Sequence, residues 1–267
     1  MCAALSPRPA KYKIGQMIKA VLLDIAGVLY DSGKPIAGAL EAVQRLQRRP
    51  VAVRFVTNTS RQSPRQVAIQ LETMGFSVGP KQLFTAPGAV VAYLGDRGLS
   101  CYSLVHPNLD GLFRPFQSTS PDAVVVADAG DRFDYSHLNK AFQYLMQDAS
   151  LIAIGDNRYF RKDGELVLDA GPFIHALSYA TQKESVIIGK PSETFFDIVL
   201  NSVPCSPAEA LMIGDDVIAD CEGALRTGLQ ACLVRTGKYQ PGDESRCGLP
   251  GLLCETNLDH ALGAFGI

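Results

Sequence analysis

Four groups of polar residues in this 267-residue chain combine into a single chemistry: Asp24, the pair Thr57-Asn58, Lys190, and the acidic run Asp215, Asp216 and Asp220. A carboxylate can act as a nucleophile toward phosphorus. A hydroxyl and an amide can hold the equatorial oxygens of a phosphoryl group, and a lysine can offset charge on both the nucleophile and the phosphoryl group. A second carboxylate can hold Mg²⁺, which takes oxygen ligands and binds beside substrate phosphate. Charge neutralisation and alignment are most of what phosphoryl transfer requires. Taken singly, each group has a plainer reading. Asp24 could cap a turn or helix, Thr57 and Asn58 could be loop residues, Lys190 before Pro191 could be a surface lysine, and Asp215-Asp216 could cap the next helix. Their shared position argues for the phosphate site, because each follows an apolar run and open parallel sheets bind ligands at the carboxyl ends of their strands.

The elements that must position these groups are legible in the apolar pattern. Ile18 to Leu23 is a short, branched apolar run that reads as a buried strand ending at Asp24. Leu40, Val43 and Leu46 stand at helical spacing within 38–49. Val51 to Val56 is the next strand, Ser63-Pro64 opens a helix to about Met74, and Gly75 stops it. The rhythm returns later with strands at Val186–Ile188, Ala210–Ile213 and Leu229–Val234, separated by helices at about 192–202 and from Asp216 to Thr227. Strand alternating with helix predicts a parallel sheet with crossovers. Between the halves lie further strands (Cys101–Val105, Ala123–Ala127, Leu151–Ile154), helices at about 135–147 and 172–182, and a hairpin turn at Asp163-Gly164. The expected fold is therefore α/β: a doubly wound, mostly parallel sheet with an inserted α/β cap domain. Residues 1–16 read as an N-terminal arm, 17–85 and 184–267 as the core, and 86–183 as the insert.

Composition narrows the classes. Net charge is −2 with no long basic block, which argues against a nucleic-acid partner. No apolar run is long enough for a membrane span and none carries a cleavage pattern. Seven cysteines without a CxxC pair fit reduced thiols and a cytoplasmic location, not a zinc site or a disulfide framework. Gly189-Lys190 is not a Walker loop, since Glu184 stands where glycine is needed and Pro191 replaces Ser/Thr. His106, His137, His175 and His260 are scattered and read as structural or surface residues. Asp156-Asn157-Arg158 reads equally as a substrate contact or a plain loop.

The residues Asp24-Ile25-Ala26-Gly27-Val28-Leu29-Tyr30-Asp31, Val56-Thr57-Asn58-Thr59, Gly189-Lys190-Pro191 and Met212-Ile213-Gly214-Asp215-Asp216 with Asp220 resemble the four motifs of the haloacid dehalogenase (HAD) superfamily. The long insert resembles the large cap of its NagD-like branch, and the match includes Arg235-Thr236-Gly237-Lys238-Tyr239. The resemblance implies a phosphatase in which Asp24 forms an aspartyl phosphate. It implies Mg²⁺ held by Asp24, the carbonyl of Ala26 and Asp215, with Asp216 and Asp220 supporting from behind. It further implies that Thr57, Asn58 and Lys190 form the phosphate clamp and that Ile25 and Ala26 join the substrate-binding set. It also implies a small phosphorylated substrate or pyrophosphate as partner, and a homodimer through the cap.

One departure stands out. Most phosphatases of the superfamily carry Asp two residues after the nucleophile, as acid for the leaving group and base for water; here Ala26 stands there. A backbone metal ligand survives this change, but an acid–base group worth about 10²–10⁴-fold does not. Good leaving groups, as in pyrophosphate, phosphoramidates and aryl phosphates, stay accessible without a proton donor. The alternative is a weakly active or non-catalytic phosphoryl-binding protein.

Overall fold

The computed structural model describes residues 17–162 and 165–267. The arm expected at 1–16 and the turn residues Asp163-Gly164 lie outside the described residues. The chain forms two compact units, one from the segment ending at Val56 with Met74–Ser77 and Val199–Ile267, the other from Thr57–Thr73 and Val78–Ile198.

The first unit is built around the strand Ala20–Asp24, whose five residues are all buried. Burial on both faces is the habit of a central parallel strand covered by helices, and it explains the unbroken apolar run. The strand pairs in parallel with Ala52–Thr57, Asp24 opposite Val56, and with Ala210–Gly214, Leu23 opposite Ile213. Beyond Ala210–Gly214 the parallel ladder continues through Gln230–Val234 to Leu252–Glu255. The chain thus leaves Ala20–Asp24 toward one neighbour and returns on its other side. Strand order reverses there, which is where a doubly wound sheet opens a crevice at its carboxyl ends. The helix Ala39–Gln47 buries Ala39, Ala42, Val43 and Leu46, an i, i+3, i+4, i+7 stripe. Leu40, grouped with that stripe from spacing, is instead only partly buried.

The helix expected from Asp216 to Thr227 is not uniform. A π-helical turn, Val217–Glu222, runs into a short α-helix, Gly223–Arg226. Cys221 N–H donates to Asp216 O at 3.3 Å, the i→i−5 bond of the wider turn. Such turns recur at functional sites because they re-aim a side chain within a helix.

The second unit holds four parallel strands, Cys101–Leu104, Ala123–Val126, Ser150–Ala153 and Ser185–Ile187, each paired with the next. Val124, Val126, Leu151 and Ala153 pack with Ala141 and Leu145 of the helix Tyr135–Met146 and with Ile174 and Leu177 of Gly171–Thr181. Tyr159–Lys162 and Glu165–Leu168 form the expected antiparallel hairpin. The helix Pro64–Thr73 starts with a reciprocal cap: Gln66 N–H donates to Ser63 Oγ at 3.3 Å, and Ser63 N–H donates to Gln66 Oε1 at 2.9 Å. Gly75, at φ +92°, follows the helix end.

Among the described residues no helix is long and apolar enough to cross a membrane. Cys101, Cys205, Cys221, Cys232, Cys247 and Cys254 carry free thiols. Burial pushes Cys101 and Cys232 up to about 12, so they stay protonated and unreactive.

Candidate active site

Asp24 ends its strand, and Asp215 follows Gly214 at the end of the adjacent strand. Asp220 comes from the π-helical turn five residues on. All three are buried, and each offers a carboxylate oxygen within 4.8 Å of the others. Three carboxylates withdrawn from water at this separation repel one another and lose hydration, so a cation among them relieves both costs. The donor set is all oxygen, the chemistry a hard divalent cation takes.

Local chain geometry makes room for this cluster. Gly27 sits at φ +88°, and a Cβ there would lie 2.0 Å from Asp215 Oδ2. Gly237, at φ +59°, approaches from the loop after Gln230–Val234; its Cβ would lie 2.2 Å from the same oxygen and 2.3 Å from Gly27 Cα. Lys238 N–H donates to Asp215 Oδ2 at 2.7 Å. Thr236 Oγ1 donates to the carbonyl of Gly27, tying the two loops together. Within the first loop, Gly27 N–H donates to Tyr30 O at 2.7 Å and Leu29 N–H to Ile25 O at 2.9 Å. The Ile25 side chain is buried in the core, so any substrate contact it makes is through its backbone, whereas Ala26 is exposed and bridges to Tyr30.

Asp216 is turned to a different task. Its Oδ1 accepts from Ile218 N–H at 3.1 Å and Ala219 N–H at 2.9 Å, capping the π-helical turn. Asp216 N–H donates to Asp220 Oδ2 at 3.1 Å, which holds the Asp220 carboxylate back over the turn. Lys238 Nζ lies 3.5 Å from Asp216 Oδ2. Burial pulls the Lys238 ammonium down, but Asp216, Asp215, Asp24 and Asp220 together outweigh it and hold its pKa above the usual lysine value.

Gly237 and Lys238 carry no role in the sequence reading, where they appear only inside the Arg235–Tyr239 run. The signal that could have found them is a Gly-Lys pair just past the end of a parallel strand, next to the acidic loop.

Thr57, Asn58 and Lys190 lie in the other unit. There Asn58 and Lys190 are joined at two points: Lys190 N–H donates to Asn58 Oδ1 at 2.8 Å, and Asn58 Nδ2 donates to Lys190 O at 2.7 Å. Both ends of the amide are therefore engaged by the Lys190 backbone. Lys190 is 5% exposed. Thr57 Oγ1 accepts from Thr59 N–H at 3.3 Å, which leaves its hydroxyl proton to donate. The histidines take local partners: His137 pairs with Asp134 at 2.8 Å and His175 with Asp156 at 3.1 Å.

Residues 21–114 match the haloacid dehalogenase-like hydrolase family, and residues 187–256 match a HAD-hydrolase-like family. The chain is 42% identical over 233 residues to the phospholysine phosphohistidine inorganic pyrophosphate phosphatase of Rattus norvegicus, covering 85% of this chain and 86% of that one. It is 38% identical over 247 residues to haloacid dehalogenase-like hydrolase domain-containing protein 2 of the same species, covering 92% and 95%. In fold it resembles a 4-nitrophenylphosphatase of Thermotoga maritima (TM-score 0.84, 23% identity, 93% of this chain and 97% of the other). It likewise resembles NagD from Escherichia coli K-12 (TM-score 0.80, 21% identity, 91% and 98%). The chain belongs to the haloacid dehalogenase-like hydrolases. Within them it is a phosphatase.

Proposed function

We propose that the protein is a Mg²⁺-dependent phosphohydrolase that works through an aspartyl phosphate on Asp24 and acts on phosphates with good leaving groups, pyrophosphate and phosphoramidates among them. The observation that carries this reading is the trio of buried carboxylates, Asp24, Asp215 and Asp220, within 4.8 Å at the carboxyl ends of neighbouring parallel strands. The rat relative's name, which joins phospholysine, phosphohistidine and pyrophosphate, supports the substrate class.

Asp24 would attack phosphorus with one carboxylate oxygen. The bond from phosphorus to the leaving group breaks, and its electron pair departs with that group. Water then adds to phosphorus, a proton passes to solvent, and the electron pair of the phosphorus–carboxylate bond returns to Asp24 as phosphate leaves. Asp24, Asp215 and the carbonyl of Ala26 would hold Mg²⁺, with Asp220 close enough to share in it and Asp216 in support. When bound, the ion offsets negative charge on the phosphoryl oxygens. Lys190 and the Thr57 hydroxyl serve the phosphoryl group, and Asn58 sets the Lys190 backbone. With Ala26 where an acid is usual, the leaving group must depart with little protonic help, which favours P–O–P, N–P and aryl phosphates over alkyl esters.

Residues 86–183 are proposed as the inserted cap, a homodimer is proposed through it, and the free thiols support a cytoplasmic location. The decisive test is hydrolysis of para-nitrophenyl phosphate with and without Mg²⁺, beside Asp24→Asn. Mg²⁺-dependent release of nitrophenol that Asp24→Asn abolishes is expected. Phosphate binding without turnover would favour a phosphoryl-binding protein.

A further inference from the structure

The unit of Thr57–Thr73 and Val78–Ile198 contains a cavity of about 540 Å³. Pockets for metabolite-sized ligands run from about 300 to 1,000 Å³, and a bare pyrophosphate or imidazole fills only a fraction of that. Part of the lining is apolar. Phe133 stacks on Phe173 with ring centroids 3.8 Å apart and planes 9° apart, and Val167 and Leu168 join from the hairpin. The polar part is Arg61, His106, Asp128, Asp131 and Arg132.

Most of these polar groups have their partners within the unit. Arg132 grips Asp110 through both Nη atoms, at 2.6 and 2.7 Å. His106 Nδ1 accepts from Asn108 N–H at 3.3 Å. Asp128, 4% exposed, accepts from Gly130 N–H at 3.1 Å and from Arg61 Nε. Asp131 is exposed to solvent. Arg61 is different. Its guanidinium is fixed through Nε on buried Asp128 and lies 4.7 Å over the Phe160 ring. Among the described residues no hydrogen bond engages either of its Nη groups, Arg61 lines the cavity, and its charge also acts on the buried Asp169. Two parallel N–H groups held in a plane match a carboxylate.

We propose that this cavity binds the leaving group of the substrate, and that Arg61 grips a carboxylate on it. The substrate class is then an organic phosphate whose leaving group has a ring-sized apolar body and a carboxylate. This rests on the phosphatase reading and narrows it. Arg61 follows Asn58 by three residues, a reach of at most about 11 Å, so one small molecule can span from the Thr57-Asn58 loop into the cavity.

The test compares phenyl phosphate with the phosphate monoester of 3-(4-hydroxyphenyl)propanoate, on wild type, Arg61→Lys and Leu168→Trp. Arg61→Lys keeps a cation beside Asp128 but loses the fork. Leu168→Trp fills the cavity from a strand position that is 60% exposed, so the fold tolerates it. Wild type is expected to prefer the carboxylate ester about tenfold or more in kcat/KM, through KM, as suits a charged hydrogen-bonded pair. Arg61→Lys should remove that preference. Equal kcat/KM for both esters in wild type, or a preference that survives Arg61→Lys, overturns the assignment. Calorimetric titration of the free acid, 3-(4-hydroxyphenyl)propanoate, separates the two layers. Acid binding that both variants weaken at least tenfold supports the cavity even if neither ester is hydrolysed, a result that would count against the phosphatase reading alone. Turnover of both esters with no acid binding overturns the cavity proposal alone.

Discussion

Lys238 reaches back 23 residues to donate its backbone N–H to Asp215 Oδ2 at 2.7 Å. It can do so because Gly237 lets the chain pass where a Cβ would stand 2.2 Å from that oxygen. This bond helps to set the Asp215 carboxylate in its orientation beside Asp24. Gly237→Ala should therefore be severe. The substitution meets backbone at Gly27 as well as the carboxylate, and it forces a non-glycine residue to φ +59°. We expect a fall in kcat of about 10²-fold or more, since small misplacements at a reacting centre cost that much. Backbone strain alone should lower stability by about 1–2 kcal/mol. Steady-state kinetics and thermal unfolding check both.

Asp220 joins the carboxylate trio, and this makes a specific demand on Asp220→Asn. The amide keeps the shape of the side chain and its acceptor for Asp216 N–H, but removes one charge from the cluster. The Mg²⁺ concentration for half-maximal activity should rise at least about tenfold, as loss of a ligand-supporting group commonly produces. An unchanged Mg²⁺ titration would show that Asp220 takes no part in holding the ion.

Asn58→Ala cuts both bonds to the Lys190 backbone. Two half-buried hydrogen bonds at about 1 kcal/mol each predict a loss of about 2 kcal/mol in stability, read by denaturant unfolding. Turnover of para-nitrophenyl phosphate should fall with it, and more than KM rises, because the lysine is misplaced and not removed.

Ala26→Asp restores a carboxylate two residues after the nucleophile. Activity toward an alkyl ester such as glucose 6-phosphate should rise by about 10²-fold or more relative to pyrophosphate. No gain would indicate that another group already supplies the proton.

Glu209 links the two central strands of the first unit. Its carbonyl accepts from Lys19 N–H at 2.8 Å, and its carboxylate meets Lys19 Nζ at 2.6 Å. The side-chain hydrogen bond from Lys19, followed by those from Ser206, lowers its pKa to about 2. An unfolded glutamate titrates near ~4.3, so the folded state holds its proton less tightly. The stability this contributes is present above that value and is lost as pH falls toward 2. Thermal melts of wild type and Glu209→Gln should differ at pH 7 and converge in acid.

The candidate site was legible wherever its chemistry follows a local pattern. Apolar runs that end in Asp24, Thr57-Asn58, Lys190 and Asp215 are short-range features, and burial on both faces of a parallel sheet dictates them. The division of labour within the acidic run was not legible. Asp216 and Asp220 look equivalent in one dimension, yet the π-helical turn makes Asp216 its cap and returns Asp220 to the cluster. The two bonds between the Asn58 amide and the backbone of residue 190 were likewise not legible, since they join positions far apart in the chain.

The sequence by itself determined the class of chemistry, the alternation of strand and helix, and which residues stand at strand ends, because each depends on neighbours a few positions away. Tertiary structure alone decided that Asp220 stands with Asp24 and Asp215, that Gly27 and Gly237 make room around one carboxylate, and that Arg61 is mounted on Asp128 in a cavity. Those arrangements depend on contacts between segments tens to hundreds of residues apart, and no local pattern of polarity encodes such distances.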